Sequence, residues 1–138
     1  MQAHIAGFSI LLAFVAFSYA ALAMYPVKVG DKVVLNLGPD IKTWRRHRTV
    51  NGRDVTETIA RCDGPKAGKC GGWKNVDTGE VTPTKSYVDE DGKLIIVSYQ
   101  KSDEGQYGSP DEKERGGTNP DGSKWAVART AIDVVTQE

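Results

Sequence analysis

The chain has 138 residues, with 18 Lys+Arg balanced by 18 Asp+Glu and a formal net charge of zero. That length accommodates one domain and hardly two, and balanced charge argues against a general nucleic-acid binder, which carries a basic excess. No Lys, Arg, Asp or Glu occurs in the first 25 residues, so all of the charge belongs to the body that follows.

In chain order, the first element is the apolar run Ile5–Ala23, "IAGFSILLAFVAFSYAALA", with Ala/Ser-x-Ala sites ending at Ala20 and Ala23. An N-terminal apolar segment closed by small residues is the layout of a secretory signal peptide. Residues 1–23 are therefore expected to be a signal peptide and residues 24–138 the mature domain. The n-region departs from the pattern in carrying His4 rather than Lys or Arg. The run also approaches the roughly 20 apolar residues of a membrane span. If it stayed uncleaved it would be the chain's only membrane contact. In both cases the body faces the outside, so the expected location is extracellular.

Beyond residue 26 the apolar residues alternate with period two, in short runs closed by Gly, Asn, Asp or Pro, which is the habit of an all-β domain. "KVVLNL" (32–37) places Val33, Leu35 and Leu37 on one face. Asn51-Gly52 is a strong hairpin signal, because a type I′ turn needs positive φ at both central residues. A strand through Trp44 and another from Val55 to about Cys62 should flank it. "DTGE" (77–80) and "DEDG" (89–92) mark further reversals. Residues 110–123, "PDEKERGGTNPDGS", read as a long turn-rich loop. "KWAVARTAIDVV" (124–135) follows as one terminal strand, favoured over a helix by its Val and Ile residues.

Candidate chemistry is sparse. Nucleophilic catalysis normally needs a base beside the nucleophile, and His47 is the one histidine of the mature chain. The carboxylates gather in turn-rich stretches, where solvation explains them. The expectation is a protein that is not an enzyme and uses no cofactor. Cys62 and Cys70, enclosing "DGPKAGK", should form a disulfide in a secreted chain. A structural metal would want four ligands, so none is expected. Arg45, Arg46 and Arg48 form the one dense basic run, either a solvated strand edge or a patch for an acidic partner. On a strand Arg46 and Arg48 share a face with Trp44, so at least one face of that strand must be unusual.

The spacing Leu94-x-Ile96-x-x-Tyr99-x-x-x-Asp103-x-Gly105-x-Tyr107-x-Ser109 resembles the E-strand to F-strand passage of immunoglobulin domains. Gly30-x-x-Val33-x-Leu35-x-Leu37 resembles their B strand. Trp44 resembles their core tryptophan, although it follows Leu37 more closely than usual, and Trp73 and Trp125 are alternatives. The resemblance runs from about Val27 to Val135. It implies an immunoglobulin-like β-sandwich of two antiparallel sheets, with a tyrosine corner at Tyr107 and backbone freedom supplied by Gly105. Leu37 and Ser109 then occupy the positions of the family's inter-sheet cysteines, which this chain lacks. The Ser109 hydroxyl is expected to contribute little.

What the resemblance implies for function is binding: a secreted, non-catalytic module for extracellular recognition or adhesion, its partner a protein or an acidic glycan. The alternative is a small secreted inhibitor or effector that presents either the Cys62–Cys70 loop or the 110–123 loop.

Overall fold

The computed structural model describes residues 22–62, 72–113 and 115–138. Its strands in chain order are β1 (Leu22–Val27), β2 (Val33–Leu35), β3 (Thr43–Val50), β4 (Arg53–Ala60), β5 (Gly72–Asn75) and β6 (Val81–Pro83). They continue with β7 (Tyr87–Val88), β8 (Leu94–Ile96), β9 (Gly105–Gly108), β10 (Arg115–Thr118), β11 (Lys124–Val127) and β12 (Ala131–Thr136). The signal-peptide expectation falls on residues 1–21, outside the described residues, apart from Leu22 and Ala23. Those two residues already belong to β1. Among the described residues no helix is long and apolar enough to cross a membrane.

Local sequence explains the central hairpin. Asn51 and Gly52 take φ of 53° and 78°, as the two-residue turn requires. From there β3 and β4 pair without interruption from Val50↔Arg53 out to Thr43↔Ala60. Residues in successive register positions alternate between the two faces, which puts Trp44, Arg46 and Arg48 on the inner side and Arg45 and His47 on the outer.

The strands assemble as a seven-stranded sheet, β1-β12-β9-β3-β4-β5-β6, a three-stranded sheet, β2-β8-β7, and the separate hairpin β10-β11. Every pairing is antiparallel except the edge pair β1 and β12, which run parallel over six register positions. The core lies between the two larger sheets. Val33, Leu35, Val88, Leu94 and Ile96 come from one, and Val27, Trp44, Ile59, Trp73, Tyr107, Ile132 and Val134 from the other. With β2 beside β8 in one layer and β9 beside β3 in the other, the chain is an immunoglobulin-like β-sandwich.

Two expectations about strands need correction. Residues 124–135 are not one strand: β11 leaves the sheet to pair with β10, and only β12 pairs with β9. The connection is held off the ladder by Glu112, whose side chain accepts the Thr130 N–H and whose carbonyl accepts Arg129 Nε. Residues 110–123 are correspondingly not a bare loop, because they contain β10.

Gly105 is also needed for a different reason from the one expected. Its φ is not positive. A Cβ there would instead come within 2.5 Å of the His47 carbonyl oxygen, so the residue is required by the close approach of β3. Positive φ is required at Gly92 (80°), where a Cβ would also meet the Ile41 carbonyl oxygen at 2.6 Å. The Gly92 carbonyl accepts the indole N–H of buried Trp44 at 2.8 Å.

Candidate binding surfaces

The expected patch of Arg45, Arg46 and Arg48 does not exist as one surface, because strand alternation divides it. Arg46 is only 3% exposed. Its Nε donates to Glu57 Oε1 at 2.9 Å, and one terminal nitrogen donates to Asp103 Oδ1 at 3.2 Å and to the Tyr107 hydroxyl at 3.3 Å. The guanidinium carbon lies 4.2 Å from the ring centroid of Trp73, so the ring's electron-rich face adds to the attraction. Arg48 is half-buried and forks onto both Glu57 oxygens, with a further donation to the Ser102 carbonyl at 3.1 Å. Both side chains are thus committed inside the domain. A buried guanidinium needs such pairing, since desolvating it unpaired costs several kcal/mol.

The anion at the centre of this cluster is Glu57. Burial alone would raise its carboxyl, but the Arg48 hydrogen bond and the Arg46 charge and hydrogen bond outweigh that and hold it below the ordinary value. Arg48 moves the opposite way, raised first by its hydrogen bond with Glu57. Tyr107 is pushed up to about 12, chiefly by burial, so its hydroxyl stays protonated and donates to the Asp103 carbonyl. That bond is the tyrosine corner. Trp73 packs edge-on against Tyr107, with ring centroids 5.9 Å apart. Both Trp44 and Trp73 are core residues, whereas Trp125 is 48% exposed.

Ser109 is built into the domain, against the expectation that its hydroxyl contributes little. It is 2% exposed, its Oγ donates to the Thr43 carbonyl at 2.6 Å, and it accepts the Asp111 N–H at 3.0 Å. Asp111 Oδ2 in turn accepts the N–H groups of Lys42 and Thr43 at 2.9 and 2.8 Å. Ser109 and Asp111 therefore clasp the start of β3 to the segment after β9. Leu37, two residues past the end of β2, is partly buried and packs against the core from the other sheet. Cys62 lies just past β4, while its expected partner Cys70 is outside the described residues.

Above the clasp, at one end of the sandwich, opens a cavity of about 560 Å³ lined by Leu37, Asp40, Ile41, Asp111, Lys113 and Ala128, among others. The β10–β11 hairpin also extends from this end, and its strands pair only with each other. Its tip is organised by the Asn119 N–H, which donates to the Ser123 carbonyl at 2.7 Å, and by Gly122 at φ 90°. Trp125 sits opposite Gly117 in register. A Cβ on Gly117 would lie 2.8 Å from the indole Nε1 and 3.0 Å from Cζ2, so the ring lies directly over the glycine. From the sequence alone, "NPDGS" (119–123) reads only as part of a loop. The turn signal flanked by Gly116-Gly117 and Trp125 was present, but nothing local showed that the flanks pair.

No family model matches the chain, and no curated protein matches it. Among solved structures, the extracellular portion of mouse CD200RLa is similar, with 15% identity and a TM-score of 0.37. The alignment covers 83% of this chain and 55% of that one, so the chain spans about half the length of the structure it matches.

Proposed function

We propose that the chain is a secreted, non-catalytic recognition module whose binding end is the β10–β11 hairpin together with the adjoining cavity. The observation that carries this reading is Trp125. It is a large aromatic left 48% exposed, on a hairpin that joins neither large sheet. Because Gly117 supports one side of the ring, the indole is held in place before any partner arrives. A rigid aromatic anchor loses little side-chain entropy on contact, which is why tryptophan is enriched among residues that dominate binding energy. The apolar N-terminal run supports export of the domain to the extracellular side, where such a surface would meet protein or glycan partners.

The test is capture of extracellular proteins and glycans on the immobilised chain. Trp125→Ala, and a variant in which residues 116–126 are replaced by a short turn, should lose the captured partner while keeping the far-UV spectrum of the folded domain. Undiminished capture by both folded variants would refute the reading. The inhibitor or effector alternative draws on the same hairpin, since β10 lies within 110–123. It is distinguished by whether the captured partner is an enzyme or receptor whose activity falls on binding.

A further inference from the structure

The outer face of the seven-stranded sheet carries the arginine that the inner cluster leaves over. Arg45 pairs across β3 and β4 with Thr58, which pairs with Lys74 on β5. Arg45 and Lys74 thus stand in one row, two strand spacings apart, or about 10 Å. His47 follows Arg45 on the same face of β3, exposed, with Nδ1 2.8 Å from Thr56 Oγ1. Arg45, His47 and Arg129 line a shallow cup of about 120 Å³ together with Gln106 and Gly108. Among the described residues, the ion pairs of this region belong to Arg46 and Arg48 on the inner side, and none involves Arg45, His47 or Lys74. Asp133, beside Gln106 on β12, and Asp54, beside Thr49 near the β3–β4 turn, are acidic groups on the same side of the sheet, and neither lies in the row that joins Arg45 to Lys74.

The residues between these cations are small or neutral: Thr56, Thr58, Gln106, Gly108 and Ala131. No aromatic side chain stands among them. The stretch from Arg45 to Lys74 lacks the apolar anchors on which protein interfaces depend. The exposed apolar residues of this face, Val81 and Met24, lie beyond it towards the sheet edges. The stretch itself offers two positive charges on an open floor. From this charge complementarity we propose that the outer sheet face binds a sulfated polysaccharide. One sulfate sits in the cup beside Arg45 and His47, and a neighbouring sulfate of the same chain reaches Lys74. Guanidinium groups suit sulfate oxygens through their forked donors, while Lys74 contributes a point charge. The cup adjoins the hairpin-end cavity at Thr130, but Arg45 and Lys74 lie outside that cavity's lining, so substitutions at these two residues test this reading alone.

The test is elution of the whole secreted chain from immobilised heparin in a salt gradient, beside hyaluronan and polyglutamate resins. Retention should be salt-sensitive on heparin and much weaker on the two unsulfated polyanions. The double variant Arg45→Gln/Lys74→Gln should elute at clearly lower salt, and the charge-matched variant Lys28→Gln/Lys32→Gln should elute as wild type. An equal shift in both variants, or no shift in either, would overturn the proposal. Retention on polyglutamate as strong as on heparin would also overturn it, by pointing to an acidic protein surface. Capture through the hairpin is unaffected by any of these results.

Discussion

Replacing Glu57 by Gln removes one charge and almost no volume from the centre of the inner cluster. Glu57 is 2% exposed and binds both Arg46 and Arg48. After the substitution Arg46, itself 3% exposed, keeps a single anionic partner, Asp103 at 3.2 Å. Breaking a buried pair from one side costs about 3–5 kcal/mol. Arg48, 13% exposed, relieves part of that by turning its head towards water, so a loss of about 3 kcal/mol is expected. With a urea m-value of about 1–3 kcal/mol per M, the unfolding midpoint should fall by roughly 1–3 M. Arg46→Met should cost less. Glu57 then retains the forked Arg48, the Tyr107 hydroxyl retains the Asp103 carbonyl, and the methionine sulfur still contacts the Trp73 ring. Because the cluster is buried, the same ranking should persist in high salt, which screens exposed pairs. If Arg46→Met proves the more damaging of the two, or Glu57→Gln is neutral, Glu57 is not the hub of this cluster.

Further outcomes are expected. Ser109→Ala leaves the buried Thr43 carbonyl and the Asp111 N–H without their partner, so urea unfolding should show a loss of about 1–3 kcal/mol, comparable with Tyr107→Phe; a neutral Ser109→Ala would remove the clasp. In acid, the lowered Glu57 group contributes stability that is fully present above its ordinary value of 4.5 and disappears as pH falls through its lower folded value. Thermal unfolding followed from pH 7 into that range should show the decline, and Glu57→Gln should flatten it. In protein recovered from an oxidising medium, Cys62 and Cys70 should resist alkylation until a reductant is added, with the change read by intact mass; two freely alkylated thiols without reductant would exclude the bridge.

The fold was legible wherever alternation and turn chemistry agreed. Val33, Leu35, Leu94, Ile96 and Tyr107 are core residues on strands whose period placed them there. Arg46 was not legible from its own surroundings, because a charged residue on an inner face looks like an error until its partner is known. Yet the partner was within reach of the sequence. Counting outward from the Asn51-Gly52 turn sets Val50 against Arg53 and therefore Arg46 against Glu57. The hairpin register thus announces a cross-strand ion pair beside Trp44. Ser109 was misread because its matching to a cysteine position said what it replaced and nothing about what its hydroxyl could reach. The bonds it makes, to Thr43 and with Asp111, depend on the pairing of β3 with β9, a contact that no local pattern encodes. The break between β11 and β12 was hidden for a similar reason, since alternation continues across Ala128–Thr130 while hydrogen bonding does not.

The parallel pairing of β1 with β12 fixes where the two ends of the domain emerge. Leu22 lies beside Ala131, and Val27 beside Thr136, so the strand's entry and the chain's exit are separated by the length of the pair, about 17 Å. The entry is at the end where β12 returns from the hairpin; the exit is at the far end, where Gln137 donates to the Val27 carbonyl. A tether attached ahead of Leu22 would hold the Trp125 hairpin towards the tethered side. Orientation on an assay surface follows the same rule: attachment through the C-terminus leaves the hairpin pointing into solution, and attachment through the N-terminus buries it.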